Sequence, residues 1–218
     1  MNITIKITLL FFFISNIAMA QFVTIRNVES TLVTHQGIEF TGKLIDKTRD
    51  LHMFSDWKNQ GVIHMDGKVY RLRNINLNVS DNTIDSKVKE KYFIYKSRLI
   101  DSISINNRNF KRLGRSFYEV LLEKKDNLFL KKFDSRQLKS KSNRLGGTIV
   151  RTSKILKFKY LIQSNDEFIK IELNKKSILG LFEDKQDILL NYVKDEKLSY
   201  KKEEDLIKIL NFMFDKVS

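Results

Sequence analysis

Residues 156–173 read LKFKYLIQSNDEFIKIEL, and this stretch decides the fold. Apolar side chains alternate with lysines as far as Tyr160, and a second alternation runs from Ile169 to Leu173. A period of two places alternate side chains on opposite faces of a strand. The intervening SNDE, residues 164–167, has the composition of a turn. The stretch therefore predicts two antiparallel strands joined as a hairpin.

Four further turn signals interrupt the chain upstream of this hairpin. They fall at residues 66–67, 80–82, 106–107 and 125–127, between runs that resemble strands. Short strands at regular intervals, each closed by a local turn, are typical of an antiparallel meander. Residues 21–173 are therefore predicted to form one meander domain.

A change of phase inside the meander predicts a bend. Tyr70 and Leu72 are apolar at even positions, whereas the residues from Ile75 onward are apolar at odd positions. A slip of one residue moves every side chain to the other face. We therefore expect a bulge or bend near residues 73–74 and a curved sheet, either open or closed to a half-barrel.

Helical spacing replaces the strand pattern after Leu173. Apolar residues then recur at intervals of three, four and seven, which indicates amphipathic helices. One stripe comprises Ile188, Leu189, Tyr192 and Val193, and the other comprises Leu206, Ile209, Leu210, Met213 and Val217. A short helix is also predicted over residues 175–182, and Ser199 is predicted to cap the last helix. Residues 174–218 should pack on the sheet as a helical segment.

The predicted fold class is therefore α+β and mainly β, a curved antiparallel β-meander followed by C-terminal helices. One long segment, residues 134–153, is predicted to be a loop. It is rich in Ser, Lys and Arg, and it contains Gly146 and Gly147.

Residues 1–20 have the pattern of a signal peptide. Lys6 precedes an apolar run, and Ala18 and Ala20 form the small-x-small site that a signal peptidase cleaves. We expect a mature chain that begins at Gln21, is exported to the periplasm or the medium, and has no transmembrane segment. The chain contains no Cys, which excludes disulfides and zinc sites built on thiolates.

Basic charge is concentrated in one part of the chain. The net charge is +14, and residues 124–159 hold twelve Lys and Arg residues against two acidic ones. Clustered cations attract polyanions in a salt-dependent way. The candidate polyanion-binding residues are Lys131, Lys132, Arg136, Lys139, Lys141, Arg144, Arg151 and Lys154. The expected partner is envelope lipid, lipopolysaccharide or another envelope protein, whereas export argues against nucleic acid. A basic loop that binds nothing is the competing interpretation.

No pattern of catalytic or cofactor-binding residues stands out. The glycines at 146–147 lack the lysine of a phosphate-binding loop, and no serine has the G-x-S-x-G context of a nucleophile elbow. His35, His52 and His64 lack a metal-binding spacing, and the acids at 203–204 are expected to stabilise a helix dipole. We therefore predict a protein that is not an enzyme and has no catalytic residue, metal site or cofactor.

Two polar or aromatic features have alternative interpretations. Asn74, Asn76 and Asn78 lie on one face of a predicted strand, where their amides could read a carbohydrate. A solvated sheet face is the preferred interpretation. Trp57 could stack on a ligand, but a position in the core is preferred.

Two functions fit these features of the sequence. The first is a non-enzymatic envelope protein that interacts with a polyanionic surface or with another envelope protein. The alternative is a carrier of a lipid-like or other hydrophobic ligand, because a curved sheet with a helical cover can enclose an apolar cavity. The aromatic residues expected to line that cavity are Phe117, Phe129, Phe158 and Tyr160.

Several motifs resemble those of a set of exported proteins common in Bacteroidota. They are DWKNQGVI at residues 56–63, Gly67-Lys68 leading to Tyr70 and Leu72, NINLN at 74–78, INN at 105–107 with Phe110, and Leu198 followed by EEDLI at 203–207. The resemblance covers most of the chain after residue 20. It implies an envelope or secreted location, and it carries over no activity, because no function is assigned to that set.

Overall fold

The computed structural model describes residues 22–26, 29–33, 39–46, 51–144 and 147–217, which form fourteen strands followed by three α-helices. The strands are β1 (Phe22–Arg26), β2 (Glu29–Val33), β3 (Glu39–Ile45), β4 (Gln60–Met65), β5 (Lys68–Arg73), β6 (Ile75–Asn78), β7 (Thr83–Val88), β8 (Lys91–Tyr95), β9 (Ser102–Ile105), β10 (Arg108–Leu113), β11 (Ser116–Lys124), β12 (Asn127–Arg144), β13 (Gly147–Ser164) and β14 (Glu167–Ile171). The helices are α1 (Lys175–Leu179), α2 (Gln186–Asp195) and α3 (Glu203–Val217), and 3₁₀ turns span Ser97–Leu99 and Glu183–Lys185.

The strands form two open antiparallel sheets. The six-stranded sheet has the order β1-β2-β3-β8-β7-β6, and the eight-stranded sheet has the order β14-β13-β12-β11-β10-β9-β4-β5. Most neighbours in the sheets are also neighbours in the chain. The prediction of a mainly β, antiparallel fold with C-terminal helices is therefore confirmed.

The predicted turns join these strands. Each of the five contains a residue with positive φ, a conformation that Asn, Asp and Gly adopt more readily than other residues. In the turn between β11 and β12 that residue is Lys125. The hairpin of residues 156–173 is also confirmed, since β13 pairs with β14 across Asn165 and Asp166.

The predicted bend lies at Asn74, whose φ of 56° is in the left-handed region. β5 ends just before it in the eight-stranded sheet, and β6 begins just after it in the six-stranded sheet. Leu72 and Ile75 are nevertheless buried in the same core. The change of phase therefore marks the point where the chain crosses from one sheet to the other.

Two hydrophobic cores lie on one face of the eight-stranded sheet, which we call the inner face. The first core fills the space between the two sheets and includes Phe93 and Phe110. The second core lies between β12 to β14 and the helices, and it includes Phe129. Phe110 of the first core lies opposite Glu119, and Glu119 lies opposite Lys131. Residues directly opposite one another share a face, and Lys131 shares its face with Phe129 of the second core, two residues away on the same strand. Both cores therefore lie on the same face of the sheet.

The C-terminal helices cover the second core as predicted. The fully buried residues of α3 are Leu206, Ile209, Leu210 and Met213. The ring of Tyr192 in α2 stacks on that of Phe212 in α3, with centroids 3.9 Å apart. The predicted cap at Ser199 is wrong, because α3 begins only at Glu203. Ser199 instead forms a turn ahead of the helix, and its backbone N–H donates to Asp205 Oδ2.

The described residues of the segment 134–153 do not form the predicted loop. Residues 134–144 and 147–153 belong to β12 and β13, which pair from Asn127 opposite Ser164 as far as Arg144 opposite Gly147. The described side chains of this ribbon are mostly exposed, so its sequence does not need the alternation of apolar and polar residues that reveals a half-buried strand. Its Ser-rich and Lys-rich composition consequently resembles that of a loop.

Candidate functional site

β12 and β13 extend beyond the sheets as a two-stranded ribbon. Among the described strands, β11 pairs with β12 only as far as Lys131, and β14 pairs with β13 only from Tyr160 onward. Residues 132–144 and 147–159 therefore pair only with each other. Since a strand rises about 3.3 Å per residue, this ribbon is roughly 40 Å long. We call it the arm.

The arm is strongly basic. Its cations are Lys132, Arg136, Lys139, Lys141, Arg144, Arg151, Lys154, Lys157 and Lys159. Asp134 is the one acidic residue in the same two segments of sequence. Like charges held along a narrow ribbon repel one another, and an external anion relieves that repulsion.

Four of these cations lie together on the face of the arm that continues the outer face of the sheet, opposite the two cores. Lys132 lies directly opposite Lys159, and Asp134 lies directly opposite Lys157. Arg136 shares this face, because alternate residues of a strand do so. Lys159 Nζ is 3.7 Å from Asp134 Oδ2. We call Lys132, Arg136, Lys157 and Lys159 the basic face. Lysines directly opposite one another destabilise a sheet, so a bound anion would stabilise this face.

Two of the predicted polyanion-binding residues are engaged within the protein. Lys131 Nζ is 2.7 Å from Glu203 Oε2, and its side chain is only 14% exposed. Lys154 Nζ donates to Ser80 Oγ at 3.1 Å, which connects the arm to the turn between β6 and β7. Both lysines therefore hold the arm in place.

The other predicted residues lie along the arm. Lys132 belongs to the basic face, with its Nζ 5.6 Å from the ring centre of Tyr118. Arg136 and Lys139 are exposed. Three more occupy paired positions towards the far end, and their side chains lie outside the described part: Lys141, Arg144 and Arg151.

Lys157 and Lys159 were missed as candidate site residues. They alternate with apolar residues, and that alternation was used only to predict a strand. Their contribution depends on the register of β13 against β12, which places them beside Lys132 and Arg136. No local signal in the sequence shows this register, because it depends on the pairing of two whole strands.

A polar network on the inner face fixes the base of the arm to α3. Glu203 Oε2 accepts hydrogen bonds from Lys131 Nζ at 2.7 Å and from the Tyr160 hydroxyl at 2.6 Å. Beside it, Arg108 donates two hydrogen bonds to Glu119, at 2.6 and 2.8 Å. The network lies where the two cores meet on the sheet.

The charges of this network reinforce one another. Burial by itself would raise the pKa of Glu203, but the hydrogen bonds from Lys131 and Tyr160, together with the charges of Lys131 and Arg108, lower its pKa. Burial and the hydrogen bond to Glu203 raise the pKa of Tyr160. Glu203 therefore remains an anion that holds Lys131, and the acid does more than stabilise a helix dipole.

Large apolar side chains are exposed on both faces of the arm. Phe158 is 52% exposed, Leu138 is 42% exposed and Leu156 is 37% exposed. Lys131 Nζ lies 4.4 Å from the ring centre of Phe158. Of these three side chains, Leu138 shares the basic face, whereas Phe158 and Leu156 lie on the other face of the ribbon. Cations beside an exposed leucine match the boundary between lipid headgroups and acyl chains.

The four aromatic residues expected to line a carrier's cavity do not share one. Phe117 is buried in the first core, Phe129 and Tyr160 are buried in the second, and Phe158 is exposed. Two grooves of about 970 and 570 Å³ on the outer face are lined by none of these residues. The arrangement of these side chains gives the carrier hypothesis no support.

The predicted solvated face of the asparagines is wrong for two of its three members. Asn76 and Asn78 are fully buried. Asn76 Oδ1 accepts a hydrogen bond from the Phe54 backbone N–H at 3.1 Å, and Asn76 Nδ2 donates to the Phe54 carbonyl at 2.8 Å. Asn78 donates to Asp85 Oδ2 at 3.0 Å. The Asn76 amide holds the segment before β4 against β6, whereas the Asn78 amide joins β6 to β7. Neither amide is available to a carbohydrate.

Trp57 is half-buried in a small aromatic cluster. Its ring centroid is 4.7 Å from that of His52 and 5.2 Å from that of Tyr92. His52 Nε2 lies 3.0 Å from Asp85 Oδ2. His64 is exposed on β4, and His35 lies outside the described residues.

Two searches of the described residues gave no site. Within those ranges, no group of three or more His, Asp or Glu side chains could hold a metal ion. None of the helices described is long and apolar enough to cross a membrane. The predicted signal peptide, residues 1–20, lies outside the described part of the chain.

Comparison with known proteins does not identify a family. The chain matches no protein-family model, and its comparison with curated proteins and with solved structures gives no significant similarity. The resemblance to exported proteins of Bacteroidota therefore stays a prediction.

Proposed function

We propose that this chain is a non-enzymatic protein of the bacterial envelope that uses the arm to bind an anionic lipid surface. The observation that carries the proposal is the basic face, where Lys132, Arg136, Lys157 and Lys159 lie together beside a single carboxylate. Each basic residue near an anionic bilayer contributes about 1 kcal/mol of attraction. Four such residues, with the further cations of the arm, are enough for measurable binding.

An exposed apolar side chain beside the cations favours lipid over the other polyanions. Leu138 is 42% exposed and shares the basic face with Arg136, because alternate residues of a strand lie on the same face. On a membrane Leu138 enters the interfacial region while the lysines and Arg136 contact headgroup phosphates. A binding partner that offers charge alone would leave this side chain in water.

Neutralising the basic face should abolish most of the binding to anionic vesicles. We expect the variant Lys132→Gln, Arg136→Gln, Lys157→Gln, Lys159→Gln to bind phosphatidylglycerol vesicles at least tenfold more weakly, and up to about a thousandfold at about 1 kcal/mol per charge. Co-sedimentation at low salt measures the affinity. The unmodified protein should also lose affinity as salt is raised, because screening weakens the attraction.

A control variant separates a specific surface from net charge. The control Lys175→Gln, Lys194→Gln, Lys201→Gln, Lys208→Gln removes four charges from exposed positions on or beside the helices. It should bind anionic vesicles nearly as well as the unmodified protein. Equal losses in both variants, or equal binding to neutral phosphatidylcholine vesicles, would contradict the proposal.

Export is the second part of the proposal, and it is supported by the signal-peptide pattern of residues 1–20. The protein isolated from the envelope or the medium of a producing cell should have Gln21 as its first residue. N-terminal sequencing or intact mass checks this. A cytoplasmic protein that retains Met1 would contradict it.

A further inference from the structure

A second basic site lies on the outer face of the eight-stranded sheet, away from the arm. It is a groove of about 970 Å³ that β4, β5 and β9 form with the turn at residues 106–107. Arg73 lies opposite Gln60, Arg71 lies opposite Val62, and Val62 lies opposite Ser104, so these side chains share a face. Four strand spacings of about 4.8 Å separate β4 from β12, so the groove lies roughly 20 Å from the start of the arm.

Three cations line the groove without a partner in the described part of the chain. The side chains of Lys58, Arg71 and Arg73 make no hydrogen bond or ion pair there. All three residues are exposed, and none of the residues that line the groove is acidic. Arg71 and Arg73 lie two residues apart on β5, the edge strand of the sheet, so their like charges are held close together.

Neutral polar groups complete the lining. Gln60 and Asn107 offer amides, and the Ser104 hydroxyl donates to Asn109 Oδ1 at 2.6 Å. Amides that both donate and accept hydrogen bonds suit the hydroxyl groups of a sugar. Guanidinium groups suit carboxylates, because their planar forks bind both oxygens.

The same lining disfavours nucleic acids, lipids and uncharged sugars. None of the lining residues is aromatic, so nucleobases would have no ring on which to stack. The groove is open, and its apolar members are Val62 and Leu72, the latter only 3% exposed, so it offers no depth for an acyl chain. A sugar without charge would also gain little here, since no aromatic ring packs on its apolar face.

We infer that this groove binds a carboxylate-bearing oligosaccharide, with Arg71, Arg73 and Lys58 contacting its carboxylates and the Gln60 and Asn107 amides contacting its hydroxyls. The site is separate from the basic face of the arm. It would give the protein affinity for acidic glycans independently of lipid.

A galacturonic acid hexamer is the probe that tests this inference by isothermal titration. The unmodified protein should bind it, whereas Arg71→Gln with Arg73→Gln should bind it at least tenfold more weakly, since each lost hydrogen bond to a charged group costs about that factor. The control Arg98→Gln with Lys201→Gln removes the same charge elsewhere and should bind normally. All four positions are exposed, and thermal melts confirm folding.

The outcomes separate this inference from the proposed function. Binding to anionic vesicles should survive Arg71→Gln with Arg73→Gln, and binding to the hexamer should survive neutralisation of the basic face. The inference is overturned if the hexamer does not bind, if its methyl ester binds equally well, or if both double variants lose the same affinity. It is also overturned if inorganic triphosphate competes fully at equal carboxylate and phosphate concentration.

Discussion

Gly42→Ala should destabilise the protein by about 3 kcal/mol, at the upper end of the usual cost of overpacking a core. Gly42 is buried in β3, and a Cβ at this position would lie 2.6 Å from Cζ of Phe93 and would overlap the backbone carbonyl of Ile94. That carbonyl belongs to β8, which is paired with β3 on one side and β7 on the other. Neither the ring nor the strand can yield without disturbing the first core.

Thermal or urea unfolding of Gly42→Ala measures this effect. A loss of about 3 kcal/mol corresponds to a fall in melting temperature of roughly 6 to 12 °C for a chain of this size. Gly180→Ala is the matched control: a Cβ there would lie 3.4 Å from the nearest atom, the Lys176 carbonyl, and its stability should change by less than about 0.5 kcal/mol. Equal stability of the two variants would show that β3 and β8 do not approach as described.

Asp85→Ala should also cost about 3 kcal/mol, by removing the acceptor of a buried network. Asp85 has no exposed surface, and it accepts hydrogen bonds from Asn78 Nδ2 at 3.0 Å and Thr83 Oγ1 at 2.8 Å. His52 Nε2 lies 3.0 Å away on the same carboxylate. Truncation leaves the Asn78 amide buried with a lost partner, which is more costly than replacing both groups.

The same unfolding measurement distinguishes this network from a surface carboxylate. Asp101 is exposed, so Asp101→Ala should be nearly neutral. In Asp85→Ala, the segment from Leu51 to Asn59 should also become more accessible to hydrogen exchange, because His52 is one of its links to the sheet. Protection that stays the same as in the unmodified protein would contradict the proposed role of Asp85.

Local signals were enough to predict much of the fold. The turns are encoded by short runs of residues that tolerate positive φ, and the helical stripes are encoded by spacing alone. The phase change near Asn74 correctly predicted a bend. It did not reveal that β5 and β6 belong to different sheets, because that depends on pairing between strands distant in the chain.

The arm shows what composition cannot reveal. Its described side chains are mostly exposed, so no apolar face marks it as strand, and its Ser and Lys content indicated a loop. Lys131 looked like the other cations of the segment, yet it is held by Glu203, 72 residues further along the chain. Lys157 and Lys159 looked like the solvated side of a strand, yet register places them beside Lys132.

The prediction for the buried asparagines was wrong for a related reason. An Asn at every second position suggests a solvated strand face, and the sequence gives no sign that Phe54 and Asp85 supply hydrogen-bond partners. Buried polar groups are retained when hydrogen bonds satisfy them, and those bonds are made by tertiary structure. The sequence-based predictions also did not include the groove at Arg71 and Arg73. These two arginines lie near Lys58 only because β4 pairs with β5.

The most direct test of the lipid-binding arm is a fluorescent label on the arm itself. The chain has no Cys, so Ser153→Cys can carry a single environment-sensitive dye at an exposed position beside the basic face, and Ser55→Cys can carry the same dye on the segment before β4. On addition of phosphatidylglycerol vesicles, the emission at residue 153 should shift to the blue and residue 55 should not respond. No shift at residue 153, or equal shifts at both positions, would contradict the account.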